Sequence, residues 1–344
     1  MTHTSTRSRS PRLLTLTGAV AAAALVLTGC GTTDPAEAEA EGSASPRTSS
    51  AATGPITITD GRGEEVTLDA PAERVVTLEW NVTEDVASLG VQPVGVADVA
   101  GYGSWATAAP LSGDPVDVGT RTEPSVESVA EADPDLILGI IGSIPEGAMK
   151  QMEEIAPVVL LTGADASQPL DLMRGNYETT ASLLGKQAEA EAVLADLDAA
   201  IATGKERIAA AGSAGTPFSF SYIYEEGNSF SLRMHGPGSQ PIALATELGL
   251  TPAFTEAGDP EWGLSTLDLE GLTTLPENTL FTWWGNDEVD DPTDALADNA
   301  LWNSLPFVKA GAVHQAGNGI WVYGGPASSI QWVEQVTGLA TATS

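Results

Sequence analysis

The feature that most constrains the fold is the alternation of short apolar segments with segments of helical spacing. Apolar runs at 74–78, 93–97 and 135–140 are short and rich in branched side chains, which indicates buried strands, and a helix-like stretch at 125–132 precedes the last of them. Strands that alternate with helices lie parallel in a sheet whose two faces are covered by helices. A hairpin at 56–68 is predicted before them. The sequence therefore predicts an α/β fold.

A long helical stretch, about residues 170–211, interrupts this alternation. Apolar residues recur at helical spacing along its second half, and Gly185 is predicted to divide it into two helices. The alternation resumes with the apolar run at 218–224. The pattern predicts two Rossmann-like α/β lobes joined by a long helical segment: a first lobe at 55–168, the connecting segment at 169–212 and a second lobe at 213–344.

The N-terminus carries the clearest local signal. Three arginines precede an apolar run at 13–27, which is shorter than the roughly 20 residues that a permanent membrane-spanning helix needs. The run ends in Leu-Thr-Gly-Cys30, which resembles the lipobox of bacterial lipoproteins, in which the Cys is acylated. An uncleaved signal anchor is the alternative. From this resemblance we predict a lipoprotein signal peptide at 1–29 and an acylated, palmitate-bearing Cys30. Two or more acyl chains on this Cys would suffice for stable anchoring to a membrane.

The segment that follows, residues 30–54, is predicted to be a flexible acidic tether. It contains Ala, Glu, Ser, Thr, Gly and Pro but no large apolar side chain. Such a composition cannot bury enough surface to offset the entropy lost on ordering. Together with the anchor, the tether predicts an exported protein that is attached by lipid to the outer face of the cytoplasmic membrane.

Composition excludes several functions. Residues 1–29 hold three of the 14 basic residues and none of the 47 acidic ones, so the remainder has 11 basic against 47 acidic residues, a formal charge of −36. Nucleic-acid binding needs a basic surface and is not expected. A single Cys excludes an intramolecular disulfide and multi-Cys metal sites, and two His beyond the leader exclude a three-His site. An enzyme is not expected, because no Gly-x-Ser-x-Gly elbow is present.

Short motifs follow one another along residues 55–344. They lie at 74–80, 83–84, 89–91, 93–96, 117–127, 134–137, 236–239, 248–250, 262–263, 301–302, 305–308 and 321–324. In this order they resemble the class III solute-binding proteins of iron-siderophore ABC importers. The combination of Gly-Thr-Arg-Thr-Glu-Pro, Trp-Gly and Trp-Val-Tyr-Gly is similar to the branch of that family that binds ferric hydroxamates.

This resemblance implies a ferric siderophore as ligand, held in a shallow cleft between two lobes that a rigid helix bridges. The cleft is lined by loops that follow strands. Since the oxygens of the siderophore coordinate the iron, the protein is expected to supply no metal ligand and no cofactor, but an aromatic wall and donors aimed at those oxygens. The predicted ligand-binding residues are Trp80, Tyr102, Trp105, Arg121, Ser143, Arg233, Trp262, Trp321 and Tyr323.

Four polar members of this set are assigned for different reasons. Arg121 matches the family's hydroxamate-contacting Arg, and a structural salt bridge with Glu123 is its alternative. Arg233 is predicted in a loop that faces the cleft in relatives. Relatives carry a Tyr in the loop that holds Ser143 here, so Ser143 or Tyr102 is expected to substitute for it.

Other aromatic and His residues are given structural roles. Trp283 and Trp302 are predicted to lie in the core, which is the common place for a Trp in this kind of fold. His235 and His314 are predicted to be ordinary surface or loop residues, since neither lies in a recognisable metal or nucleophile motif.

Charge selects among siderophores. A ferric tris-catecholate carries about three negative charges, whereas a ferric trihydroxamate is neutral, or cationic when it keeps a free amine, so a strongly acidic protein disfavours the catecholate. We predict a ferric hydroxamate of ferrioxamine or ferrichrome type. A cobalamin or haem binder on the same scaffold is the alternative, with Tyr102 or His235 as the axial ligand of a haem iron.

The resemblance also implies partners. Members of the family deliver their ligand to an ABC permease with its ATPase, and one surface Glu on each lobe meets Arg on the permease. Glu127 matches the first-lobe position and Glu270 the second, for which Asp268 is the alternative. Stabilisation of a helix start is the other interpretation of both glutamates. The protein is expected to act as a monomer.

Overall fold

A five-stranded parallel sheet forms the first lobe, preceded by a small hairpin. The structure is a computed structural model that describes residues 54–227, 229–286, 288 and 290–342. The hairpin pairs β1 (Ile56–Thr59) with β2 (Glu65–Leu68), as predicted. The sheet consists of β3 (Val75–Thr77), β4 (Gly95–Val96), β5 (Val116–Asp117), β6 (Leu136–Ile140) and β7 (Val158–Leu161), connected by helices α1 (Trp80–Ser88), α2 (Val99–Trp105), α3 (Val126–Glu131) and α4 (Glu146–Glu153). The order across the sheet is β5-β4-β3-β6-β7.

Two helices follow this sheet, α5 (Pro169–Leu184) and α6 (Gln187–Ala210). The predicted division at Gly185 is confirmed. Gly185 has a φ of +66°, a left-handed conformation that ends α5 and that glycine adopts without steric cost.

Both faces of the first sheet are covered, which explains why its strands are apolar throughout. All five residues of β6 are buried. Leu136 and Leu138 pack on one face with residues of α5, while Ile137 packs on the other with Val129 and Met152. A parallel sheet with helices on both sides has no solvent face, so its strands lack the alternation of half-exposed strands.

The second lobe contains a mixed sheet, which differs from the parallel sheet that the sequence predicts. Its strands are β8 (Pro217–Glu226), β9 (Ser229–His235), β10 (Thr251–Pro252), β11 (Leu264–Asp268), β12 (Leu280–Trp284) and β13 (Val313–Ala316), with helices α7 (Gln240–Glu247), α8 (Pro292–Ala295), α9 (Pro306–Lys309) and α10 (Pro326–Ala342) and 3₁₀ turns at Gly271–Thr274 and Trp302–Ser304. The order is β11-β9-β8-β12-β13, with β10 beside β8. Strands β8, β12 and β13 are parallel, whereas β9 and β11 run antiparallel to their neighbours.

Two boundaries depend on side chains that cap helices. Helix α1 begins at Trp80, because the carboxylate of Glu79 accepts from the Trp80 backbone N–H at 2.8 Å. Helix α2 was not predicted, since its sequence contains two glycines, which disfavour a helix. Asp98 caps it by accepting from the Gly101 N–H at 3.1 Å.

The structural roles of the two core tryptophans are confirmed. Trp283 and Trp302 are each 3% exposed and belong to one apolar cluster with Phe281 and Phe307. None of the helices in the described ranges is long and apolar enough to cross a membrane. The predicted signal peptide, Cys30 and the tether as far as residue 53 lie outside the described residues.

Candidate ligand-binding cleft

A cleft of about 520 Å³ lies between loops of the two lobes. Glu79, Asn81, Arg121 and Ile140 line it from the first lobe. The second lobe contributes Arg233, Asp259, Trp262, Leu264, Ser265, Thr266, Trp321 and Tyr323. Five of the nine predicted ligand-binding residues therefore meet at one cavity: Arg121, Arg233, Trp262, Trp321 and Tyr323.

Arg121 lies at the centre of the contact between the lobes. Its guanidinium carbon is 4.0 Å from the ring centroid of Trp80 and 5.1 Å from that of Trp321. Its Nη1 atom donates to Glu79 Oε1 at 2.7 Å. The salt-bridge partner of Arg121 is thus Glu79 and not Glu123, the partner considered in the alternative interpretation. Aromatic faces and one carboxylate hold the guanidinium in place, and 31% of the side chain stays exposed.

The two first-lobe tryptophans each pack against a tryptophan of the second lobe. Trp80 is 5% exposed, and its ring contacts the Arg121 guanidinium, with its centroid 4.8 Å from that of Trp321. Trp105 is half-buried and packs edge-on against Trp284, at 5.3 Å between centroids. Neither is among the residues that line the cavity.

The positions of Tyr102 and Ser143 correct two predictions. Tyr102 is 1% exposed, and its hydroxyl donates to the Ala109 carbonyl oxygen at 2.6 Å. Ser143 is 2% exposed, and its hydroxyl oxygen accepts from the Ile140 N–H at 3.1 Å, which closes the turn after β6. Both polar groups are used inside the protein, because helix α2 and this turn direct them away from the cleft.

On the opposite wall, a carboxylate and an arginine face the cavity. Arg233 lies on β9, not in the predicted loop, and its guanidinium carbon is 5.2 Å from the Tyr224 ring centroid. Asp259 accepts backbone N–H bonds from Glu261, Trp262 and Leu264 at 2.7 to 3.0 Å. Although burial opposes ionisation, these N–H groups hold the pKa of Asp259 below its usual value. Asp259 therefore faces the cleft as a charged acceptor.

His235 is buried, which corrects its assignment as a surface or loop residue. It is 1% exposed on β9, with Nε2 2.7 Å from the Tyr323 hydroxyl oxygen and Nδ1 3.2 Å from the Phe220 carbonyl oxygen. Burial lowers the pKa of His235 to about 3, so the ring is neutral at pH 7. No local pattern marks this residue, because its partners come from β8 and from the loop before α10. His314 lies on β13 and is half-buried.

A buried pair of carboxyl groups lies at a contact between the two lobes. Glu84 on α1 is fully buried and accepts from the backbone N–H of Ser328 at 2.8 Å and from the Ser328 hydroxyl. Burial raises the pKa of Glu84 to about 7, and burial together with the neighbouring Glu84 raises the pKa of Asp85 well above its usual value. The chain carries Gly324 and Gly325 at this contact, where a Cβ atom would collide with the two carboxyl groups.

Glu84→Gln is expected to flatten the dependence of stability on pH. Between pH 4.5 and about 7 the folded protein retains a proton on Glu84 that the unfolded chain has lost, so the stability from this group is full below pH 4.5 and is lost as the pH rises through 7. The loss between pH 5 and pH 8 is about 2–3 kcal/mol. Urea unfolding at both pH values measures it. His235 has an opposite pH dependence in wild type and variant alike, and cancels in the comparison. Asp85, whose pKa burial also raises, still lowers stability with rising pH in the variant, so the fall in stability becomes smaller there rather than absent.

The matched control is Glu191→Gln, an exposed Glu on α6. It is expected to follow the wild type at both pH values. A Glu84→Gln protein whose stability fell in parallel with the wild type would show that Glu84 does not ionise in the folded state over this range.

Comparison with known proteins places this geometry in a family context. A family model described as periplasmic binding protein matches residues 75–318. The iron(3+)-hydroxamate-binding protein FhuD of Escherichia coli is 29% identical over 260 residues, which cover 76% of this chain and 84% of that protein. The Fe(3+)-citrate-binding protein YfmC of Bacillus subtilis is 28% identical over 264 residues, which cover 75% and 77%. These relatives are binding proteins and not enzymes.

A solved structure shows the same fold. The siderophore-binding protein FhuD of Vibrio cholerae, solved with bound Fe³⁺–Desferal, matches with a TM-score of 0.67 at 28% identity and covers 79% of this chain and 99% of that one. The predicted α/β fold of two lobes joined by a helical segment is confirmed.

Proposed function

Because the chain belongs to the periplasmic binding protein family, we propose that it is an extracytoplasmic receptor that captures a ferric siderophore and delivers it to an ABC importer for iron uptake. The ligand that we propose is a ferric hydroxamate of ferrioxamine or ferrichrome type. The observation that carries the proposal is Arg121, a cation held by Trp80, Trp321 and Glu79 at a cleft of about 520 Å³. This volume is within the range of small-ligand sites.

The charge of the cleft supports a hydroxamate over a catecholate. Two cations, Arg121 and Arg233, line the cavity with two carboxylates, Glu79 and Asp259. A wall in which both charges occur suits a neutral or singly cationic complex and offers no excess of cations for a trianionic one. The names of the E. coli and V. cholerae relatives support the same choice, while the citrate-binding relative keeps ferric citrate as the competing class.

The haem alternative loses its two candidate axial ligands. The Tyr102 hydroxyl is engaged by Ala109, and the ring of His235 is engaged by Phe220 and Tyr323. Both residues are about 1% exposed. An axial ligand needs a free donor atom that faces the bound group, and neither residue offers one.

Ferrioxamine B and ferrichrome are expected to quench the tryptophan fluorescence of the purified protein saturably. Trp262 and Trp321 line the cleft and Trp80 contacts Arg121, which also lines it, so each is close enough to a bound iron complex for its emission to be lost. We expect a dissociation constant at or below about 1 μM, which corresponds to about −8 kcal/mol.

The gallium complexes of the same siderophores are the matched control, because they have the same shape and charge but lack the visible absorption of the ferric complexes. They are expected to compete for the site and to restore the fluorescence. Quenching by a ferric catecholate or by ferric citrate, with none by either hydroxamate, would contradict the proposed ligand class.

Anchoring and partners complete the proposal. We propose that Cys30 is acylated and holds a monomeric protein on the outer face of the cytoplasmic membrane. We also propose that the loaded protein docks on an ABC permease, coupled to its ATPase, through Glu127 and Glu270. Both carboxylates are exposed. Asp268 is the weaker candidate, because its Oδ1 atom accepts from the Gly271 N–H at 3.0 Å and stabilises the turn.

A further inference from the structure

The hydrogen-bonding role of Tyr323 in the cleft is decided by the residue behind it. Tyr323 lines the cavity, and its hydroxyl oxygen is 2.7 Å from Nε2 of the buried His235. The other ring nitrogen, Nδ1, is 3.2 Å from the carbonyl oxygen of Phe220. These two contacts determine where the hydrogens lie.

A carbonyl oxygen can only accept a hydrogen bond, so Nδ1 of His235 carries a hydrogen and donates it to Phe220. The ring is neutral, because burial lowers the pKa of His235 to about 3 and the nearby charge of Arg233 acts in the same direction. A neutral imidazole has one N–H group, so Nε2 has none and accepts the hydrogen of the Tyr323 hydroxyl.

Tyr323 lines the cavity, so a ligand group that reaches its hydroxyl meets the oxygen without its hydrogen. The remaining lone pair of this oxygen can only accept. The Asp259 carboxylate, which lines the same cavity and accepts three backbone N–H bonds, adds a second acceptor. Arg121 and Arg233 are the cationic donors of the cavity. Donors and acceptors thus face the ligand from different residues.

We propose that Tyr323 is an obligate hydrogen-bond acceptor in the cleft that selects ligands presenting an N–H or O–H donor, and that His235 is the positioning residue that imposes this role. The inference rests on the proposed function, since it describes how the siderophore is recognised. The iron-coordinating oxygens of a hydroxamate and the carboxylates of a citrate-type siderophore are hydrogen-bond acceptors. They would be repelled by the Tyr323 oxygen, because no hydrogen lies between the two acceptors. Backbone amide, hydroxyl or ammonium groups of a siderophore satisfy it.

The tautomer of His235 is testable without a ligand. Nitrogen-15 NMR of the imidazole rings in the purified protein at pH 7 is expected to show Nδ1 protonated and Nε2 unprotonated for His235. The variant His314→Gln removes a competing signal and so assists assignment. A hydrogen on Nε2, or on both nitrogens, would overturn the proposal.

The selectivity is tested with a matched pair of neutral iron complexes. Ferric tris(acetohydroxamate) carries an N–H group on each ligand, and ferric tris(N-methylacetohydroxamate) carries none. The wild type is expected to bind the N–H complex about 2- to 12-fold more tightly, the range for one neutral hydrogen bond, as measured by tryptophan quenching. Tyr323→Phe is expected to lose this preference. A preference that arises from size alone would persist in Tyr323→Phe, and that result would overturn the proposal.

A second variant tests whether His235 orients the Tyr323 hydroxyl or only stabilises the fold. His235→Phe removes the acceptor at Nε2 and frees the Tyr323 hydrogen to turn toward the cleft, so the preference for the N–H complex is expected to shrink or reverse. Thermal unfolding establishes that the variant is folded. An unchanged preference in folded His235→Phe would contradict the role of His235. If the wild type bound neither complex nor ferrioxamine B, the proposed function itself would fail, whereas normal binding with equal preference in wild type and Tyr323→Phe would overturn this inference alone.

Discussion

Reversing both proposed docking carboxylates, Glu127→Arg together with Glu270→Arg, is expected to abolish siderophore uptake by cells while ligand affinity in solution stays unchanged. Glu127 is exposed in the first turn of α3, and Glu270 is exposed before the 3₁₀ turn Gly271–Thr274. Neither is paired with a cation among the described residues. Charges at the rim of an interface affect how fast the two proteins associate and how they are oriented when they dock. Each single reversal is therefore expected to cause a partial loss of uptake.

The matched control reverses two other exposed glutamates, Glu191→Arg and Glu206→Arg, which lie on α6. This protein has the same change in net charge and is expected to support normal uptake. Radioactive iron accumulation, at equal protein levels, measures all three proteins. Full uptake by the Glu127→Arg, Glu270→Arg protein would show that these carboxylates are not the docking points.

The second large effect is expected for Arg121→Ala, which should weaken binding of ferrioxamine B about 10- to 150-fold. Removal of a charged donor that faces ligand oxygens costs about 1.5–3 kcal/mol. The structure adds a further reason, since Arg121 is the cation that pairs with Glu79, whose side chain is 11% exposed. Without Arg121, this carboxylate faces the cleft uncompensated.

The variants around Arg121 separate these two causes. Arg121→Ala with Glu79→Gln is expected to regain part of the lost affinity, because the uncompensated carboxylate is gone. Arg174→Ala is the matched control, since Arg174 pairs with Asp198 on the connecting helices and does not line the cleft. Fluorescence quenching by the ferric complex measures each affinity. Equal affinity of Arg121→Ala and the wild type would exclude Arg121 from the binding site.

The fold could be predicted from local patterns in the chain. The apolar strands of the first sheet, the helical spacing beyond residue 170 and Gly185 each depend on neighbours close in sequence, so the pattern alone indicates a strand, a helix or a helix end. The mixed sheet of the second lobe was not predicted, although Gly227-Asn228 between β8 and β9 is a two-residue hairpin signal. The pairing of β11 with β9 joins strands that are distant in the chain, so no local pattern indicates it. Helix α2 was not predicted because the cap at Asp98 overrides its poor helix propensity.

The site could be predicted in part. Motif resemblance brought Arg121, Trp321 and Tyr323 into one candidate set, and the structure places all three at one cavity. The resemblance failed for Tyr102 and Ser143, because it assigns a residue by its position in the chain and says nothing of the direction of its side chain. Both hydroxyls are hydrogen-bonded to nearby backbone groups.

The sequence by itself determined most of the elements, the two-lobe plan and the family, since these follow from periodicity and from the order of short motifs. Tertiary structure alone decided which polar groups are paired. The hydrogen-bonded partners are far apart in the sequence. Glu79 and Arg121 are separated by 42 positions, His235 and Tyr323 by 88, and Glu84 and Ser328 by 244. Such contacts leave no local signature, because the free energy of burying a charge or a hydrogen-bond donor depends on the partner that folding brings to it.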